Sequence, residues 1–158
     1  MRRYTGILMV IFLFVSAFAQ AQILGKKIYP SGWVLGPTVA YQYQTKSFLK
    51  ASFWGLTEVG YADYIKIDAG ANFTWHDSKT HVIPELSVTY YPSTVLIWPF
   101  VEAEVTPYTV TPKVGVGIFN LFELGFGYGW SLQEKKRLGA IKGFNFSVAL
   151  SLPLNFNL

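Results

Sequence analysis

Cysteine is absent from this 158-residue chain. That excludes a disulfide framework, a thiolate metal site, a cysteine nucleophile and a lipid-anchor cysteine. Charge is scarce too. Lys, Arg, Asp and Glu together make up 14% of the residues, against about 25% in a typical soluble domain. The formal net charge of +4 is small, and part of it sits at the extreme N-terminus, which argues against nucleic acid as a partner. Rings and apolar mass are in excess: hydrophobics are 51%, aromatics 18% and mean hydropathy is +0.30. A disordered chain has the opposite balance. The length suits one domain.

The single long apolar run is at the start. Arg2 and Arg3 precede a 13-residue apolar core, Ile7 to Ala19. A membrane-spanning helix needs about 20 such residues. The positive start, short core and small residues at Ala17-Phe18-Ala19 and Ala19-Gln20-Ala21 match a cleaved secretory signal peptide over residues 1–21. Its removal takes the 13 basic side chains to 11 against 9 acidic ones, a mature charge of +2.

Beyond residue 22 no apolar pattern repeats at helical spacing, and alternation with period two takes over. At the C-terminus Phe144, Phe146, Val148, Leu150, Leu152, Leu154, Phe156 and Leu158 form one face, with Asn145, Ser147, Ala149, Ser151, Pro153, Asn155 and Asn157 on the other. The segment before it sets Phe122, Leu124, Phe126, Tyr128, Trp130 and Leu132 against Glu123, Gly125, Gly127, Gly129 and Ser131. Earlier still, Val110 to Ile118 alternates in the same way, and further strands read at about 94–106, 80–91, 64–76, 48–56 and 33–44. That makes eight. Short turn signals at Thr45-Lys46-Ser47, Asp77-Ser78-Lys79-Thr80, Pro92-Ser93, Pro107-Tyr108 and Asn120-Leu121 imply antiparallel neighbours. Gln133 to Lys142 is the one long polar loop.

Eight alternating strands fit a soluble lipocalin-like barrel with its apolar face inward, or a membrane barrel with that face outward. The polar face decides between them. It is mostly Gly, Ser, Thr, Asn and Gln, with too little charge for a water-exposed wall. Gly36, Gly70, Gly115, Gly117, Gly125, Gly127 and Gly129 all lie on it, as a narrow lumen requires. Tyr41, Tyr43, Trp75, Tyr90, Tyr128 and Trp130 on the apolar face suit interfacial girdles. The expected fold is therefore all-β: an eight-stranded antiparallel transmembrane up-and-down β-barrel.

With a signal peptide lacking a lipobox cysteine, eight strands over about 33–158 and a final amphipathic strand, the chain resembles the small eight-stranded outer-membrane proteins of Gram-negative bacteria. Its TPKVGVG and GFNFSVALSLPLNF segments resemble small barrels of the Bacteroidota. The resemblance implies a bacterial outer-membrane location, with residues 22–32 as a short periplasmic lead-in and 33–158 as the barrel. It also implies that Phe156 and Leu158 act as the recognition signal for barrel assembly, although Leu departs from the commoner terminal Phe. The family includes anchors, adhesins, narrow channels and a few lipid-modifying enzymes, so fold alone selects no function.

The inward ionisable residues are Lys50, Lys66, Asp68, Glu85, Glu102, Glu104, Lys113 and Glu123, three positive and five negative. A hairpin at Pro107-Tyr108 places Glu102 opposite Lys113, within ion-pairing reach. A plug of paired charges is favoured over a conduit. His76 and His81 flank Asp77-Ser78-Lys79-Thr80, and a turn at Ser78-Lys79 sets them opposite each other. With Ser78 as nucleophile this is the lipid-A hydrolase alternative; with Asp77 it is a weak metal set; as an ordinary polar turn it needs neither. In the long loop, Lys135, Lys136, Arg137 and Lys142 suit lipopolysaccharide phosphates, with Leu138 and Ile141 dipping toward the membrane interface. The expected protein is non-enzymatic and without cofactor or metal. Its role is structural or binding, among outer-membrane lipid and other outer-membrane proteins, as an accessory subunit of a larger assembly.

Overall fold

The alternation resolves into eight strands in the computed structural model, which describes residues 32–60, 63–76, 78–92, 97–118, 121–134 and 139–155. They are β1 (Val34–Gln44), β2 (Lys46–Glu58), β3 (Tyr64–His76), β4 (Lys79–Tyr91), β5 (Ile97–Val105), β6 (Thr109–Ile118), β7 (Phe122–Ser131) and β8 (Gly143–Ser151). Each pairs antiparallel with its chain neighbour, and β8 pairs with β1 to close the barrel. The signal segment, the lead-in up to residue 31, and Phe156 and Leu158 lie outside the described residues.

The strands are strongly staggered. Val34, Leu56, Lys66, Thr89, Glu102, Lys113, Gly127 and Asn145 are successive partners from β1 round to β8. The next partner, one rung past Tyr43 and Phe146, is Gln44, ten residues along β1 from Val34. A stagger of this size tilts the strands by roughly 40° and leaves an interior only wide enough for side chains.

The last strand is shorter than its alternation suggests. Beyond Ser151 the chain keeps register: Leu152 N–H donates to Pro37 O at 2.9 Å and Leu154 N–H to Leu35 O at 2.8 Å. Pro37 has no N–H to return the first bond, and Leu35 N–H turns instead to the Asn155 side chain at 2.8 Å. The ladder is one-sided there. Gly36 permits the approach, because a Cβ at this position would run into the Leu152 carbonyl.

The two faces are chemically inverted relative to a water-soluble barrel. Val39, Tyr41, Leu49, Phe53, Val88, Val101, Val114, Phe126 and Leu150 are among the exposed large hydrophobics, and so are all six aromatics expected on the outer face. Rings cluster outside on β7 and β8, where Phe126 meets Phe146 at 5.2 Å and Tyr128 meets Phe144 at 6.0 Å.

Inside, apolar side chains close both ends. Toward the end carrying the start of β1, Tyr64 stacks on Trp98 at 5.7 Å, and Tyr91 sets its edge against Trp98 and Phe100. At the opposite end Phe48, Ile83 and Ile141 pack together with Tyr108. Ile141 therefore turns into the barrel mouth and not outward to an interface, which corrects the sequence reading. Hydrogen bonds explain the turn. The Thr45 hydroxyl donates to the Lys142 carbonyl, and Gln133 Nε2 donates to Pro107 O at 2.9 Å, so each end of the long loop is tied to a nearby turn on the rim.

Candidate functional site

Period-two geometry sends even residues of β1, β2, β3 and β5 and odd residues of β4, β6, β7 and β8 to one face. Lys50, Lys66, Asp68, Glu85, Glu102, Glu104, Lys113 and Glu123 all fall on that face, and each is at least nine-tenths buried. Glu102 faces Lys113 across β5 and β6, with Lys113 Nζ 3.4 Å from Glu102 Oε1. A closer partner is Glu104, whose Oε2 lies 2.6 Å from the same ammonium. Directly opposed residues were thus a sound guide to proximity and an incomplete one, since a diagonal neighbour is still within reach of a long side chain.

Two further lysines complete the network. Lys50 pairs with Glu85 and lies 4.0 Å from Glu104. Lys66 pairs with Glu123 at 2.6 Å and lies 3.7 Å from Asp68. Neutral side chains take up the remaining lone pairs. Gln42 Nε2 donates to Glu104 at 2.9 Å, Ser52 to Asp68 at 2.8 Å and Asn72 to Glu85 at 2.6 Å. The Tyr91 hydroxyl donates to Glu123. Gln42, Ser52, Asn72 and Tyr91 are the members the sequence reading missed. Their signal was the same parity that located the charges.

The space left over is small. A cavity of about 20 Å³ lies among Lys50, Lys66, Asp68, Glu102, Lys113 and Glu123, room for about one water. A ligand pocket needs about 300–1,000 Å³. Toward the loop end a second cavity of about 10 Å³ is lined by Gln44 and Asn72, where Gln44 Nε2 and Asn72 Oδ1 have no protein partner among the described residues.

The histidine hairpin differs from its expected geometry. His76 faces Lys79, and His81 faces Thr74. Lys79 is therefore the first residue of β4 and not part of a Ser78-Lys79 turn, and the two histidines are not opposite each other. Either turn keeps the same residues on the same face, so alternation cannot choose between them. Turn chemistry does: Ser78 takes φ 57°, and short polar residues tolerate that left-handed region better than Lys does. Asp77 lies outside the described residues, as do Lys135, Lys136 and Arg137. Lys142 is exposed beside Thr45. Among the described residues no group of three or more His, Asp or Glu side chains is placed to hold a metal ion.

Fold and interior together define a class: a closed eight-stranded antiparallel barrel with an ion-paired, side-chain-filled lumen and an apolar outer face. No protein-family model, curated protein or solved structure matches the chain.

Proposed function

We propose that this chain is a small, non-enzymatic outer-membrane barrel protein of a Gram-negative bacterium, delivered by a cleaved signal peptide. Its role is structural or binding, as an anchor or accessory subunit of a larger outer-membrane assembly. One observation carries the reading: eight charged side chains are inside, and each of the eight strands carries exposed large hydrophobics on its outer face. Soluble monomers rarely expose apolar patches beyond about 300–600 Å², and a band round the whole circumference exceeds that. Strands of 9 to 13 residues meet the ~9–11 needed to cross a bilayer at a tilt. No helix among the described residues is long and apolar enough to cross one, which has no bearing on crossing by strands.

The filled lumen supports a strut in preference to a conduit. Aromatic rings close one end, Phe48, Ile83 and Ile141 close the other, and the charges between them are mutually paired. Work on other molecules is then done by outer surfaces and rims. Spin labels at 146, 148 and 150 in the reconstituted protein should report lipid, and planar-bilayer recordings should show no steady conductance. Labels reporting water at those positions would refute the membrane reading. A stable open conductance would refute the strut.

A further inference from the structure

The rings on the outer face are unevenly shared among the strands. Tyr43, Phe53, Trp75, Tyr90, Phe126 and Phe144 put at least one exposed ring on each of β1, β2, β3, β4, β7 and β8. The outer faces of β5 and β6 have none. Between Ile97 and Ile118 the aromatic residues are Trp98, Phe100 and Tyr108. The first two are buried in the barrel, and the third packs on the Phe48–Ile83–Ile141 cluster. A barrel surrounded by lipid carries aromatic girdles at both interfaces, and on these two strands the girdle is missing.

In place of rings the hairpin presents short aliphatic side chains. Pro99 faces Val116, Val101 faces Val114 and Ala103 faces Pro112, and all six are exposed. Alanine, proline and β-branched side chains lose little rotamer freedom when covered. Small side chains also let two walls approach closely, which is how protein packs on protein inside a bilayer. The same hairpin is held by the shortest ladder in the ring. β4 pairs with β3 over all of Lys79–Tyr91, but with β5 only from Leu86 to Tyr90. On the other side, the β6–β7 ladder passes over Thr111 and Pro112, and proline has no N–H to give.

None of the outward side chains of β5 and β6 is charged or forms hydrogen bonds, so the face has no group with which to select a foreign partner. An isologous contact asks only that a surface match itself. A two-fold axis parallel to the barrel lets both copies cross the bilayer in the same sense. The outward side chains of the hairpin, at roughly 50 Å² each, with Leu86 and Val88 beside them on β4, offer on the order of 600 Å² per copy. A pair then covers about 1,200 Å², the lower bound of stable interfaces.

We propose that the outer face of the β5–β6 hairpin is the contact between two copies of this chain in the membrane. Dispersed monomers show it to lipid, and paired copies cover it. This rests on the membrane reading above, and the experiment separates the two. The chain has no cysteine, so single cysteines report position. Val101→Cys and Val114→Cys lie on the face, while Val39→Cys, at a site as exposed as Val101, lies on β1 across the ring. Each full mature chain is reconstituted into zwitterionic vesicles over a range of protein-to-lipid ratios, floated, and treated with a short bis-maleimide. All three should float. The hairpin cysteines should give cross-linked dimers whose yield falls only at high lipid dilution, and Val39→Cys should give none beyond chance collision. Adding Ala103→Phe to the Val101→Cys chain should shift that dilution midpoint by about tenfold, since a ring intrudes between the walls. Ala51→Phe, outward on β2, should leave it within about twofold. Equal yields at all three positions, monomers at every ratio, or indifference to Ala103→Phe overturn the contact alone. Capture of a different protein by the hairpin cysteines in the producing cell's membranes, in place of a second copy, also overturns it. Failure of all three chains to float overturns the membrane reading, and the pair with it.

Discussion

Lys113→Met tests the lumen at its most shared point. Lys113 is 3% exposed, with its ammonium 2.6 Å from Glu104 Oε2, 3.4 Å from Glu102 Oε1 and 3.3 Å from Gln42 Oε1. Methionine keeps most of the volume and removes the charge. Glu104 still has the Gln42 amide at 2.9 Å and Lys50 at 4.0 Å. Glu102 loses its near cation, since no other ion pair involving it lies within 4.0 Å among the described residues. Removing one member of a buried pair costs about 3–5 kcal/mol, because the other charge is left without compensation. Urea unfolding in a fixed detergent, followed by tryptophan fluorescence, should show a loss in that range. Lys113→Met with Glu102→Gln should regain part of it, since the stranded charge is gone. The double-mutant cycle with Glu104 should give a larger coupling than the one with Glu102, as the distances require. A loss of less than about 1 kcal/mol, or additive losses in both cycles, would show that the ion pairs do not organise this interior.

Val114 is 59% exposed on the face opposite to Lys113; on the membrane reading Val114→Arg should cost about 2–4 kcal/mol in vesicles, while Val114→Leu stays within about 0.5 kcal/mol. Equal effects of the two would argue against lipid on that face. At Gly115 an added Cβ meets the Leu124 carbonyl and comes 2.5 Å from the Phe100 ring, so Gly115→Ala should destabilise by about 1–3 kcal/mol in the same urea assay. Ile141→Ala removes the stopper packed on Phe48 and Ile83. It should cost about 2 kcal/mol, the lower end of the range for a buried isoleucine, and hydrogen exchange should quicken near Gln44 and Lys46 while the Tyr91 and Trp98 region stays protected.

Period two located nearly everything that backbone geometry controls, and β3 over residues 64–76 coincides with its sequence reading. The same parity carries the Glu102–Lys113 opposition and the burial of all eight charged residues. Parity is also where the reading stopped. It is unchanged when a turn moves by one residue and the pairing by two, so His76 faces Lys79 where His81 was expected. It treats Leu152 and Leu154 as strand, although Pro37 and the Asn155 side chain interrupt the ladder beside them. Trp54, Tyr64, Tyr91, Trp98 and Phe100 sit at inward positions, yet a polar lumen was expected there because rings are assigned outward by habit of composition. Ile141 lies in a loop, where no period operates and only the hydrogen bonds at Thr45 and Gln133 decide its direction.

Some of the contacts that fill the lumen join strands that do not touch along their backbones. Lys66 of β3 reaches Glu123 of β7, and Gln42 of β1 reaches Glu104 of β5, each across the barrel between strands four places apart in the ring. Hairpin ladders between chain neighbours form without closure, whereas these contacts exist only once β8 has met β1. An open or mis-registered sheet would leave buried lysines and carboxylates without partners, and each such group is costly in a confined site. The network therefore discriminates between closed and open states more than it adds to the strength of any one rung, in keeping with the modest net worth of buried ion pairs. A shift of β8 against β1 by two residues would preserve every inward and outward face and still separate Gln44 from Asn145, now bonded at 3.0 Å. Side-chain pairing across the lumen supplies the specificity of register that alternation cannot.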